Sequence, residues 1–157
     1  MMFKSHYGET VTVVLAVVMG FIMAFAVIVA DHLKLNFSTV FQVWSMVTLV
    51  ILLVSAVIPY KEWSAQFTAL FHLPEGSTAH RIVENILPSL ILNTFNTVIV
   101  SAASVFYNET IPASEQIGVW LHGIAHDWPI TFVVSYLAAF VAEAIGKRVA
   151  EATAKAE

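Results

Sequence analysis

Four apolar segments dominate the chain, and each is long enough to cross a bilayer as a helix, which takes about 20 residues. They cover residues 11–30, 40–58, 86–106 and 129–146. None alternates apolar and polar residues as a membrane strand does, and a helix bonds its own backbone groups within the segment. The pattern predicts an all-α integral membrane protein, with one membrane domain over residues 1–157.

Two connections between these segments are amphipathic. In the 59–85 connection, bulky apolar residues recur at helical spacing: Trp63, Phe67, Leu70 and Phe71. In the 107–128 connection, four apolar residues share one helical face: Ile117, Trp120, Leu121 and Ile124. We expect an interfacial helix in each connection. For the second, the alternative is that the segment extends the fourth transmembrane helix beyond the bilayer.

The basic residues predict the orientation of the spans. Six of them lie in the N-terminus, the 59–85 connection or the C-terminus: Lys4, Lys61, Arg81, Lys147, Arg148 and Lys155. Only Lys34 lies in another connection. Because loops rich in Lys and Arg stay in the cytoplasm, we expect both termini to be cytoplasmic.

Composition supports a lipid environment and narrows the chemistry. Hydrophobic residues make up 59% of the 157 residues and charged residues 11%, whereas soluble domains carry about 25% charged residues. The lipid bilayer is therefore the expected partner. Cysteine is absent, which excludes disulfides, thiolate metal sites and cysteine nucleophiles. No basic tract suggests nucleic acid, and we expect no cofactor.

The two halves of the chain, 11–72 and 80–150, follow the same plan of span, connection and span. When Trp44 is aligned with Trp128, residues 46–58 match residues 130–142 without a gap. This pattern predicts two tandem two-helix repeats.

The segment Trp128–Val149 has a Trp at its start, an alanine-rich body and a basic end. It resembles the second helix of a small family of two-span bacterial membrane proteins whose function is not established. Val40–Trp63, with Trp44 and Pro59, resembles the same helix. The resemblance implies a duplicated fold in a bacterial inner membrane, and it implies no activity.

The third span carries the strongest candidate for a binding site. Its polar residues fall within about 160° of helical arc when each residue turns 100°: Ser89, Asn93, Thr94, Asn96, Thr97, Ser101 and Ser104. Such a face should not contact lipid. It either lines a polar path or pocket, with Asn93 and Asn96 as the central candidates, or holds helices together by hydrogen bonds.

Two residues of the fourth span extend this hypothesis. Tyr136 could offer a hydroxyl to the Asn-rich face. Glu143 is ionisable and lies within the span, so it is a candidate for lining the path. The alternative is an ion pair with Lys147, four residues later, in the favourable helical order.

Histidines near the start of the fourth span suggest a different chemistry. His122 and His126 stand four residues apart with Asp127 beside them, a spacing that can present two imidazoles to a metal ion or offer an axial ligand to haem. The alternative is a polar helix face at the membrane surface.

Small residues in the first span predict close helix packing. Ala16, Gly20 and Ala24 recur every four residues, a spacing that lets helix backbones approach within the bundle or between subunits.

Three functions remain open from the sequence. The first is a small transporter or ligand-binding membrane protein, which we expect to be a homodimer or higher homo-oligomer because four spans enclose little space. The second is a non-catalytic membrane partner or assembly subunit. The third is a membrane metal or haem protein that uses His122 and His126.

Overall fold

The structure is a computed structural model that describes residues 3–30 and 33–156, with side chains over 7–30 and 33–154. Within those residues it contains five helices and no strand: α1 (Phe3–Ala30), α2 (Phe37–Val57), α3 (Tyr60–Ala69), α4 (Thr78–Phe106) and α5 (Gln116–Ala156). All except α3 are long and apolar enough to cross a membrane. The predicted all-α architecture, with four helices long and apolar enough to span a membrane, is confirmed.

Local sequence signals set several helix ends. Asn36 caps α2, because its side-chain oxygen accepts the backbone N–H of Thr39. Ser77 caps α4 in the same way through the N–H of His80. Both residue types favour the N-cap position because they satisfy a backbone donor that the helix leaves free. Pro59 follows the end of α2 and precedes α3.

The four long helices form an antiparallel bundle. α1 packs between α2 and α5, while α4 packs against α5 and α2. Both described chain ends and α3 lie at one end, which we call the termini end. Residues 33–36 and 107–115 lie at the other, which we call the loop end.

The small residues of α1 lie inside this bundle. Ala16 and Ala24 are fully buried, and a Cβ atom added to Gly20 would lie 2.3 Å from Oγ1 of Thr48 on α2. The α1–α2 backbones are therefore as close as glycine permits. The predicted close packing is confirmed, and it occurs within one chain.

Helix α3 is the predicted helix of the 59–85 connection, and a proline explains how it docks. Pro88 has no N–H, so the carbonyl of Glu84, four residues earlier in α4, lacks its usual helical donor. Ser64 of α3 donates its hydroxyl to that carbonyl. On α3, Trp63 stays outside at 47% exposed, whereas Tyr60 is buried at 4%.

The prediction of a separate interfacial helix in the 107–128 connection is wrong. Helix α5 runs without interruption from Gln116 to Ala156 and includes Pro129. Trp120 holds the first part of α5 against α4 by donating its indole N–H to the carbonyl of Val98 at 3.1 Å. A proline inside such a helix is tolerated where neighbouring helices and polar side chains satisfy the freed backbone groups. The 41-residue helix is roughly 60 Å long, so it extends well beyond a hydrocarbon core.

Candidate ligand-binding site

The polar face of the third predicted span points into the bundle. On α4, Ser89, Asn93, Asn96 and Thr97 are buried. The opposite face is exposed and apolar, with Phe95, Ile99 and Phe106 on it. The buried polar stripe is narrower than predicted, because Thr94 and Ser104 are exposed.

Part of this polar stripe joins α4 to α5. Asn93 donates its side-chain N–H to the carbonyl of Trp128 at 3.1 Å, and the hydroxyls of Thr97 and Thr131 lie 3.2 Å apart. The indole of Trp128 donates to the Thr94 hydroxyl at 3.0 Å. These contacts are the interhelical bonds that polar residues form in membrane bundles.

Other polar atoms of the stripe form no hydrogen bond to a neighbouring helix in the part of the chain that the structure describes. Among the described residues, no hydrogen-bond partner is found for Oγ of Ser89, for Oδ1 of Asn93 or for either amide atom of Asn96. All three side chains are at most 3% exposed. Because buried polar atoms are almost always hydrogen-bonded, and an unmade bond costs about 1–3 kcal/mol, these atoms indicate places for water or a ligand.

A cavity of about 240 Å³ lies beside Ser89 in the termini half of the bundle. Residues of α1, α3, α4 and α5 line it, and the polar ones are Tyr60, Lys61, Ser64, Glu84, Asn85, Ser89 and Glu143. We call this the inner cavity. Its apolar wall includes Leu15, Met19 and Leu92, which separate it from the loop half.

The charges of the inner cavity come from three helices. Glu143 of α5 pairs with Lys147, the two charged groups lying 2.5 Å apart. Glu84 of α4 lies 3.7 Å from His80. Lys61 of α3 donates to the Thr12 hydroxyl of α1 at 3.1 Å. The cavity can therefore offer carboxylates, an ammonium group and neutral hydroxyl and amide groups to one ligand.

Tyr60 contributes a buried phenol to the inner cavity. Burial raises the pKa of Tyr60 above its ordinary 10.0, and the hydrogen bond with Ser55 opposes that rise. The two hydroxyl oxygens lie 2.9 Å apart. The phenol is thus held neutral and in place at the junction of α2 and α3.

A second, much smaller cavity of about 20 Å³ lies in the loop half. We call it the outer cavity. Its polar lining residues are Asn96, Thr97, Ser101, Asp127 and Thr131. A space of this size holds about one water molecule.

The structure divides the predicted ligand-lining residues between these cavities. Asn96, Thr97 and Ser101 line the outer cavity, while Glu143 lines the inner one. Glu143 thus fits both hypotheses, because it lines the inner cavity and also pairs with Lys147.

The other two predicted ligand-lining residues lie elsewhere. Asn93 lies between the cavities along α4, and it is fully buried. The Tyr136 hydroxyl donates to the backbone carbonyl of Ile82 at 2.9 Å, so it joins α5 to α4 instead of serving the Asn-rich face.

In the part of the chain that the structure describes, no group of three His, Asp or Glu side chains is placed to hold a metal ion, and the ligand role of His122 and His126 stays a prediction. His122 and His126 are exposed on α5. His126 instead contacts Asp127, with Nδ1 2.7 Å from Oδ1. Asp127 also belongs to the outer cavity.

Sequence reasoning missed several residues of the inner cavity, above all Lys61, Ser64, Glu84 and Asn85. They belong to α3 and to the first turns of α4, outside the four apolar segments that carried the predicted site. Pro88 was the available signal, because a proline inside a helix frees a carbonyl that another element must satisfy.

No family model, curated protein or solved structure matches this chain. The resemblance to two-span bacterial membrane proteins therefore stays a prediction.

Proposed function

We propose that this chain is an integral membrane protein that binds a small polar solute in the inner cavity and moves it across the bilayer. One observation carries the proposal: a cavity of about 240 Å³ has Ser89 in its wall, and the hydroxyl of Ser89 is buried and has no partner among the described residues. An empty apolar cavity would not need such a group at its wall.

The size and lining limit the solute. Sites for drug-sized ligands measure about 300–1,000 Å³, so the solute is smaller than these. Carboxylates, one ammonium and several neutral polar groups surround the cavity. This set suits a solute with both donors and acceptors, since a purely apolar one would leave the polar wall unsatisfied.

The distribution of Lys and Arg supports an orientation with both termini in the cytoplasm. We infer that the inner cavity then faces the cytoplasm and that the membrane is a bacterial inner membrane. The outer half would be closed by the apolar side chains Met23, Val27, Val47 and Val100, which line the outer cavity.

Two corresponding tryptophans support the proposed duplication. Trp44 of α2 donates its indole N–H to the carbonyl of Val17 on α1 at 3.0 Å. Trp128 of α5 donates its indole N–H to the side-chain hydroxyl of Thr94 on α4 at 3.0 Å. In each half, the second helix thus reaches back to the first through the residue that the alignment pairs.

Oligomerisation remains part of the proposal for transport. One chain already supplies all the walls of the inner cavity, so binding requires no second copy. Movement across the membrane requires the helices to rearrange around the solute, and we infer that a homodimer provides a fixed partner surface for that movement.

A non-catalytic assembly subunit is the second candidate function. The bonds of Asn93 and Thr97 to α5 favour it, because both serve packing without any ligand. The unpartnered Ser89 hydroxyl distinguishes the two candidates, since packing gives it no role.

Cysteine accessibility tests the binding function directly, because the chain has no native cysteine. We would place Ser89→Cys in membrane vesicles of both orientations and measure its modification by a small charged methanethiosulfonate reagent. We expect modification from the cytoplasmic side only. A panel of amino acids, small amines and small carboxylates is then screened for the ability to slow the reaction.

Ser135→Cys is the matched control. Ser135 is fully buried and its hydroxyl donates to the carbonyl of Phe132 within α5, so we expect no modification. If cysteine at position 89 is as inert as cysteine at position 135, the inner cavity is closed to solutes and the binding function is wrong. Modification without protection by any solute would favour the assembly subunit.

A further inference from the structure

We propose that the outer cavity binds a single monovalent cation of the size of Na⁺. The cavity measures about 20 Å³, which fits one water-sized particle. Residues of α1, α2, α4 and α5 line it, and it is separate from the inner cavity and takes a different ligand.

The chemistry of the outer cavity suits a hard cation. Its polar lining consists of oxygen-bearing side chains from two helices: Asn96, Thr97, Ser101, Asp127 and Thr131. Amide, hydroxyl and carboxylate oxygens are the ligands preferred by hard cations. The hydroxyls donate their protons to other groups: Ser101 to the carbonyl of Thr97 at 2.6 Å and Thr131 to the carbonyl of Asp127 at 2.8 Å. Ser101 therefore keeps its lone pairs for a cation, and Thr131 keeps one beside its contact with the Thr97 hydroxyl at 3.2 Å.

Asn96 provides an independent indication that something occupies this cavity. Its side chain is 3% exposed, and neither of its amide atoms has a partner within the described part of the chain. A bundle held together by packing alone would gain from an apolar residue here, since the unpaired amide is costly. A cation that binds the Asn96 carbonyl oxygen removes the part of that cost that comes from this oxygen.

The charge of the outer cavity determines the charge of the cation that it binds. Among the described residues, Asp127 is the one acidic residue that lines the outer cavity, and its side chain is 14% exposed. One carboxylate balances one positive charge, and an unbalanced charge would be costly among the apolar side chains of Met23, Val27 and Val47 that complete the wall. A divalent ion would bring a second charge, and Ca²⁺ also takes six to eight oxygen ligands.

His126 holds the Asp127 carboxylate in position. Its Nδ1 lies 2.7 Å from one carboxylate oxygen, which leaves the second oxygen for the cation. His126 is itself exposed at 58%, so it contacts the site from the water side and does not occupy it.

Thermal unfolding of the full-length protein in detergent tests this site. Unfolding temperatures are measured in increasing NaCl and in choline chloride at the same total concentration, because choline is too large for the outer cavity. A ligand that binds only the folded state stabilises it in a saturable way. We expect NaCl to raise the unfolding temperature by several degrees more than choline chloride, and we expect direct binding of ²²Na⁺ with the same midpoint.

Three variants test the residues. Asp127→Asn and Asn96→Leu should each abolish the difference between NaCl and choline chloride, and Ser101→Ala should raise the NaCl midpoint at least tenfold. Ser104→Ala removes a hydroxyl from the same helix outside the outer cavity and should leave the midpoint unchanged. Because the difference between two salts is compared within each protein, a change in basal stability does not affect the result.

If NaCl and choline chloride raise the unfolding temperature of the native protein equally, the cation site is overturned. This result is expected if one water molecule satisfies the Asn96 amide. An effect that survives Asp127→Asn would overturn the cation site as well. Neither result bears on solute binding in the inner cavity, which the Ser89→Cys reaction reports separately.

Discussion

The two helical hairpins of this bundle, α1–α2 and α4–α5, have the same arrangement of helices but differ in the polarity of the interface between them. In the first, α1 and α2 meet through apolar side chains, with Met19, Met23, Val47 and Ile51 buried. In the second, α4 and α5 meet through hydrogen bonds between polar groups. Among the described residues, the first hairpin has one buried side-chain atom without a partner, on Thr48, whereas α4 has four.

This difference distinguishes polar groups that hold helices together from polar groups that remain available to a ligand. Apolar residues gain no hydrophobic free energy by meeting in lipid, so packing depends on close approach and on interhelical bonds. The first hairpin achieves close approach at Gly20, where the two backbones nearly touch. The second hairpin has polar atoms that form no hydrogen bond among the described residues: they belong to Ser89 at the inner cavity, to Asn96 at the outer cavity and to Asn93 between the two.

The largest effect is expected from Gly20→Leu. A Cβ atom at this position would lie 2.3 Å from Oγ1 of Thr48 and 3.2 Å from its backbone nitrogen, so α1 and α2 must separate. Overpacking of this kind costs about 1–3 kcal/mol or more, and with a side chain as large as Leu we expect about 3 kcal/mol. Unfolding by sodium dodecyl sulfate, followed by tryptophan fluorescence, measures the loss.

Gly118→Leu is the matched control for Gly20→Leu. A Cβ atom at Gly118 would meet no described atom within 4 Å, and Leu has a higher helix propensity than Gly by up to about 1 kcal/mol. The free energy of unfolding should therefore stay the same or rise. Equal losses for both variants would mean that the first hairpin does not depend on close approach at Gly20.

A pair of variants in α4 should change stability in opposite directions. Asn93→Leu removes a bond to the carbonyl of Trp128 and should lower the free energy of unfolding by about 0.6–2 kcal/mol. Asn96→Leu breaks no bond among the described residues, so in choline chloride the protein should be equally stable or more stable by about 1 kcal/mol. The same unfolding assay compares them. Equal losses would show that Asn96 has a packing partner and would remove the main argument for the outer cavity as a site.

The sequence allowed the four spans to be predicted, because long apolar runs leave no alternative to a helix in lipid. It also predicted which face of α4 is buried, since the polar residues there share one side. It could not predict which of those residues would be bonded. Asn93 and Asn96 have the same side chain on the same stripe, and only the position of the Trp128 carbonyl on α5 distinguishes them.

The continuous helix α5 could not be predicted for a related reason. Pro129 fits the start of a helix as well as a tolerated interior position, and the sequence alone does not show that Trp120 reaches Val98. The inner cavity was not predicted because its polar residues come from α3 and the beginning of α4, and the sequence does not show that Ser64 of α3 bonds to the carbonyl of Glu84 that Pro88 leaves free.

A smaller effect is expected from the two aligned tryptophans. Trp44→Phe and Trp128→Phe each keep an aromatic ring and remove one indole hydrogen bond, to Val17 and to Thr94 respectively. Interhelical bonds of this type contribute about 0.6–2 kcal/mol, so each variant should lose about 1 kcal/mol in the unfolding assay. Similar losses would support the duplication. A loss of stability confined to one variant would mean that the two aligned tryptophans do not have the same structural role.

The smallest effect concerns α3, for which the second hairpin has no counterpart among the described residues. Tyr60→Phe removes the bond with Ser55 and should cost about 1 kcal/mol near neutral pH. Burial raises the pKa of Tyr60 in the folded protein above 10.0, so as the pH rises past that value the unfolded chain loses the Tyr60 proton first. The native protein is therefore destabilised relative to Tyr60→Phe at high pH.

The difference in unfolding free energy between native protein and Tyr60→Phe should thus shrink from about pH 8 to about pH 11, a range that includes the ordinary tyrosine pKa. The other tyrosines are common to both proteins and cancel in this difference. A difference that stays constant over this range would mean that the Tyr60 phenol ionises as readily in the folded chain as in the unfolded one. The hydroxyl would then be in contact with water in the folded chain, and the junction of α2 and α3 would not bury it.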